Sequence, residues 1–177
     1  SLQNSWITEF SQGGLDVSSM PAAAVVSDNY IEGTGGPVVS VGGGSGKFEN
    51  NVLVGDTNTI VSTGGSAQPD FGGGALSASG GNEFNHYGAQ GHIFYNGSSS
   101  DVYAMQNYWG TTVTEQIDQL IYDNNDDPTK GTVHYGSFVA GSFFTNLSVS
   151  PDRVFDGDTL TIGFTAGATI TEGPTVE

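Results

Sequence analysis

No cysteine occurs among the 177 residues, and only Lys47, Lys130 and Arg153 carry positive charge. Without cysteine there is no disulfide framework and no thiolate metal site. Nineteen acidic residues face those three cations, for a formal net charge of −16. Nucleic acid is excluded as a partner, because that contact needs Lys and Arg to neutralise phosphates. Anionic membrane surfaces are disfavoured for the same reason, and no apolar run approaches the ~18 residues of a membrane span. A secretory leader and an initiator Met are also missing. The chain opens in mid-pattern at Ser1-Leu2-Gln3-Asn4, which reads as a processed product or a piece of something longer.

What is present is repetition. An Asn stands two residues before a large apolar residue in Asn4-Ser5-Trp6, Asn29-Tyr30-Ile31, Asn51-Val52-Leu53 and Asn82-Glu83-Phe84, and again in Asn107-Tyr108-Trp109-Gly110. A period of 20–50 residues is the signature of a solenoid. About ten residues after each of the first four comes a second short apolar run: Leu15/Val17, Val39/Val41, Ile60/Val61 and Ile93/Phe94. These runs are brief, rich in β-branched and aromatic residues, and bounded by Gly, Asn, Ser or Asp, which reads as strand rather than helix. Glycine supplies 28 residues without a Gly-X-Y period, so collagen is excluded and the clusters are turns. Two or three strands with tight turns per repeat predict one coil of a parallel β-helix. An Asn at the same corner of each coil, at positions 4, 29, 51, 82 and 107, predicts a stacked amide ladder.

From Asp101 onward the pattern changes. Asp101-Val-Tyr-Ala-Met-Gln-Asn107-Tyr-Trp109-Gly110 leads into Thr112-Val-Thr-Glu115, then Ile117-Asp-Gln-Leu120-Ile121-Tyr-Asp123, the pair Asp126-Asp127, and Gly131-Thr-Val133. Thr112 and Glu115 form a capping-box pattern. Val113, Ile117, Leu120 and Ile121 fall on one helical face, so a helix near 113–122 is predicted to cover the end of the coil stack. This segment resembles the closing part of secreted right-handed parallel β-helix repeat proteins, with Trp109, Gly110 and Gly131 in the cap. The resemblance implies an all-β chain, a right-handed parallel β-helix of about four to five coils over 1–144, with a short C-terminal capping helix. Residues 145–177 hold two period-2 strands around a turn and resemble the opening of an immunoglobulin-like module. At about thirty residues they are too few for that sandwich. They read as a truncated module, as strands donated to a neighbour, or as strands folding back.

Chemistry is sparse. The fold implied by the resemblance also hosts polysaccharide lyases and glycoside hydrolases. Lys47 is the one basic residue in the coils, and Asp16, Asp28, Glu32, Glu49, Asp56 and Asp70 show no clustered pair of the kind a hydrolase needs. His86, His92 and His134 lack metal-binding spacing, and no nucleotide-binding glycine motif is present. A non-enzyme is therefore expected. Asp123, Asp126, Asp127, Asp156 and Asp158 are candidate calcium ligands through oxygen, although none matches an EF-hand loop. Tyr30, Phe71, Tyr87, Phe94, Tyr95, Tyr103 and Tyr108 are candidate platforms for sugar rings, or else core. Asn96-Gly-Ser98 and Asn146-Leu-Ser148 are glycosylation sequons. The expectation is a secreted or cell-surface structural or adhesive module. Its expected partners are copies of itself or neighbouring extracellular domains, joined through β edges. A carbohydrate-binding module with a polysaccharide partner is the alternative.

Overall fold

The computed structural model describes residues 1–10, 13–55, 59–86, 91–139, 144–150 and 161–166. The chain divides into two compact units, Ser1–Ala140 and Gly141–Glu177. It is nearly all β, built mainly from parallel sheets.

The first unit contains three such sheets. One holds β1 (Leu2–Gln3), β4 (Val25–Ser27), β7 (Lys47–Glu49), β10 (Asp70–Gly72), β13 (Val102–Ala104) and β15 (Val133–His134), paired in that order. The second holds β2 (Trp6–Phe10), β5 (Tyr30–Gly33), β8 (Val52–Gly55) and β11 (Glu83–His86). The third holds β3 (Leu15–Val17), β6 (Val39–Val41), β9 (Val61–Thr63), β12 (Phe94–Asn96) and β14 (Ile121–Tyr122). Through β13 the chain therefore visits the three sheets in strict rotation, and each strand pairs with the third one before it. After β13 the second sheet receives only an isolated bridge, Glu83 to Tyr108.

Alternation along each strand decides what is buried. In the second sheet Ile7, Ile31, Leu53 and Phe84 lie in one register column. In the third, Leu15, Val39, Val61, Phe94 and Ile121 form another. With Val26, Phe48, Phe71, Val102 and Val133 from the first sheet, these columns meet in one hydrophobic core. Aromatic rings fill its lower half: Phe48 stacks on Phe71 at 4.5 Å, and Phe84 lies 4.7 Å from Trp109.

Two glycines show how tightly the turns are drawn. Gly44 has φ +76°, and a Cβ there would sit 2.2 Å from the Met20 carbonyl oxygen. At Gly131 a Cβ would lie 2.1 Å from the Ser100 carbonyl. Neither position can carry a side chain without moving backbone.

The helix differs from the sequence expectation. It spans Thr114–Gln119, with Val113 at the N-cap and no side-chain cap bond. The Thr112/Glu115 capping box does not form. Thr111 instead accepts a bond from the Val113 amide at 3.2 Å through its hydroxyl. Ile117 is buried and Leu120 packs against the core, but Val113 is exposed and Ile121 belongs to β14. A strand position in the third sheet wins over another half-turn of helix, because there Ile121 gains backbone pairing with Phe94 as well as burial. No helix among the described residues is long and apolar enough to cross a membrane.

The second unit contains an antiparallel pair, β16 (Phe144–Ser150) and β17 (Thr161–Ala166), with Phe144 opposite Ala166 and Ser150 opposite Thr161. Asp156 and Asp158 lie outside the described residues, as do Asp56 and Tyr87.

Candidate functional site

The corner entering the second sheet fixes which residues face out. Asn29, Asn51, Asn82 and Asn107 are all buried there. The Asn29 side-chain amide donates to Asn51 Oδ1 at 2.9 Å, Asn51 to Asn82 Oδ1 at 2.9 Å, and Asn82 to Asn107 Oδ1 at 2.9 Å. Each Oδ1 also accepts the backbone N–H of the preceding Asn in the row, at 2.8–3.1 Å. The remaining Nδ2 hydrogens reach carbonyls of the first sheet: Leu2, Val26, Phe48 and Phe71. Each amide thus satisfies a corner that would otherwise bury unpaired backbone.

Asn4 is not in this row. It is exposed with φ +50°, and Ser5 takes the row position, its N–H donating to Asn29 Oδ1 at 2.9 Å. The residue before each row member has positive φ: Asn4 (+50°), Asp28 (+58°), Asn50 (+55°), Gly81 (+75°) and Gln106 (+62°). Asn and Asp tolerate this left-handed conformation better than other non-glycine residues. Two adjacent columns at the corner therefore both favour Asn for different reasons, which explains the one-residue slip in reading the first coil.

That slip hides the most exposed aromatic among the described residues. Counting from the true row, the second residue onward is Ile7, Ile31, Leu53, Phe84 or Trp109, all in or against the core. The first residue onward points the other way, and in the first repeat it is Trp6. A shift of one position moves a strand residue to the opposite face. Trp6 is 74% exposed and stacks on its register partner Tyr30, with ring centroids 4.3 Å apart and planes 18° from parallel. Trp6, Thr8, Glu32 and Thr34 line an open cleft of about 460 Å³, and Tyr30 donates its phenol to Glu32 Oε2 at 3.4 Å. The signal that finds Trp6 is the Ile7–Ile31 match at an interval of 24 residues.

The other sheets carry outward aromatic pairs too. Tyr95 stacks on Tyr122 at 4.6 Å, with His92 edge-on to Tyr122. Tyr103 stacks on His134 at 4.7 Å. His134 Nε2 is 3.0 Å from Asp101 Oδ2, and that hydrogen bond, helped by the Thr132 N–H, holds the Asp101 carboxyl below its ordinary range. Phe71 and Phe94 are core, so they are no platforms.

The acidic candidates bind backbone. Asp70 is buried, and its two oxygens accept the N–H groups of Gly72, Gly74, Leu76 and Ala78 at 3.0–3.3 Å. Asp123 is also buried and accepts from Asn125 at 2.9 Å and Val133 at 2.8 Å. Asp126 accepts the Asp123 N–H at 3.2 Å. Asp127 accepts both the N–H and the hydroxyl of Thr129, which lowers its pKa. Among the described residues no three His, Asp or Glu side chains gather to hold a metal ion. Lys47 Nζ lies 3.5 Å from Glu49 Oε1.

Asn96, read from its sequon as a glycan acceptor, is fully buried. Its Nδ2 donates to the carbonyls of Ser100 and Gly131 at 3.1 and 2.8 Å, and its Oδ1 accepts from Thr63 Oγ1 at 2.6 Å. In the folded chain it is a corner amide of the third sheet.

Of the residues expected in the cap, Gly131 donates its N–H to the Ser98 carbonyl at 3.0 Å. Trp109 is buried against Phe84, Phe94 and Tyr135, and Gly110 follows it with φ +78°. The Tyr135 phenol donates to Asp118 Oδ1, and burial together with that carboxylate pushes its pKa up to about 12.

No protein-family model, curated protein or solved structure matches this chain.

Proposed function

We propose that the three sheets are the faces of a right-handed parallel β-helix, and that the chain is a non-catalytic extracellular module with a structural or adhesive role. The strict rotation of strands among the sheets supports the winding, and parallel crossovers overwhelmingly favour the right hand. One observation carries the functional reading. Consecutive strands β1, β2 and β3 stand together at one end of their respective sheets. Edges of this kind are templates for pairing with another β element. The carboxylates of Asp70 and Asp123, engaged by backbone N–H groups rather than poised in pairs, support the non-catalytic part of the reading. Electron microscopy of the purified chain tests the reading. Ordered oligomers or filaments are expected; a monomer at every concentration and salt condition would overturn it. A carbohydrate-binding module is the second reading. It is favoured by the Trp6–Tyr30 pair beside an open cleft, and a glycan array tests it.

A further inference from the structure

The cleft beside Trp6 combines three properties that seldom meet on a soluble surface. Its wall is an indole 74% exposed to water, on a chain where the only other exposed large apolar side chains described are Tyr95 and Val113. Beneath the indole lies Tyr30, stacked at 4.3 Å, so the two rings form a single thick π surface. Beside it is the carboxylate of Glu32, with the hydroxyls of Thr8 and Thr34 completing the lining. Neither lysine lines the cleft, and Arg153 lies outside the described residues. Lys47 stands in the first sheet, paired with Glu49, and Lys130 follows the Asp126-Asp127 pair, far along the chain.

These groups select by charge. A phosphate, sulfate or uronate would meet Glu32 and the field of a chain carrying −16, with no lysine in the lining to neutralise it. A cation meets the reverse. Tryptophan is the best aromatic face for a guanidinium or ammonium group, and a guanidinium can stack on an indole while its N–H groups reach a carboxylate. The Thr8 hydroxyl oxygen adds an acceptor at the rim.

We propose that this cleft binds Arg or Lys side chains of a basic polypeptide. The inference gives the adhesive reading a class of partner and rests on that reading only in treating the chain as a binding module. Assembly through the sheet edges is a separate property, read by microscopy, and either can fail alone.

The experiment uses the whole chain and acetyl-hexaarginine amide as probe, in 0.15 M salt, with affinity measured by calorimetry. The two tryptophans provide an internal control, since Trp109 is buried and Trp6 is not. Acrylamide should quench Trp6 emission, the peptide should protect it, and Trp109 emission should stay constant. Trp6→Ala is expected to weaken binding about tenfold, and Glu32→Gln severalfold. Preserved Trp109 emission confirms that each variant folds. Equal affinity in all three chains would mean only diffuse attraction to an acidic surface and would overturn the proposal. Protection of Trp6 by neutral cellohexaose but not by the peptide would overturn it in favour of a glycan.

Discussion

The two tryptophans have opposite fates: Trp6 stands on one end strand of the second sheet, and Trp109 follows the Tyr108 bridge to the strand at its other end. Trp109 follows a row Asn by two residues and lies at 1% exposure among Phe84, Phe94 and Tyr135. Trp6 follows a row position by one and stands in water on the end strand. Residue type did not decide this; parity from the corner did. The comparison teaches that in short strands a side chain's role is set by distance from the last fixed backbone feature, here an amide bonded to its counterpart in the next repeat.

The sharpest way to break the comparison is to delete each ring. Trp109→Ala should cost about 3–5 kcal/mol through a large core cavity, while Trp6→Ala should stay within about 0.5 kcal/mol. Chemical denaturation of the two variants checks both numbers, and equal losses would contradict the parity argument. Next in size are the corner amides. Asn51→Ala removes bonds to Asn29, Val26 and Asn82 at once and should cost about 1–3 kcal/mol. Asn4→Gly should be near neutral by the same measurement, since glycine accepts positive φ freely.

A smaller effect is expected at high pH. The Tyr135 phenol keeps its proton to about 12 in the fold, whereas an unfolded phenol loses it near the usual 10. Its contribution is complete below about pH 10 and disappears as pH rises through 12. Phenolate absorbance should show a late-titrating tyrosine that is lost in Tyr135→Phe. The smallest effect concerns calcium. Because Asp123, Asp126 and Asp127 are engaged by backbone N–H groups, chelator should leave the melting temperature unchanged, and a clear drop would assign this loop a metal role.

Much of the strand pattern was legible, since Val39/Val41, Phe94 and Leu53 announce themselves by alternation and by flanking turn residues. The Asn row was legible from its apolar companion at fixed offset. Its first member was not, because Asn4 and Ser5 sit in neighbouring columns and the left-handed column also prefers Asn. That single slip concealed Trp6. Asp70 was beyond reach for another reason: its four donors belong to residues 72–78, whose amides converge only when the loop folds back. Asn96 was read through a local motif, but its partners Thr63 and Gly131 lie 33 and 35 residues away. The helix ended early because Ile121 had a competing use that local periodicity does not encode.

The loop organised by Asp70 has a practical consequence. Segments bounded by the row amides differ in length, 22 residues from Asn29 to Asn51 against 31 from Asn51 to Asn82, yet the amide contacts on both sides measure 2.9 Å. Most of the extra chain is absorbed in the loop over 73–80, tied by the Asp70 carboxylate and by a bond from the Ser79 N–H to Glu49 Oε1 at 2.8 Å. Foreign peptide spliced at the exposed Ala75 would enter on the outer bend of this loop, away from the row amides, which makes the bend a natural graft point for an engineered scaffold.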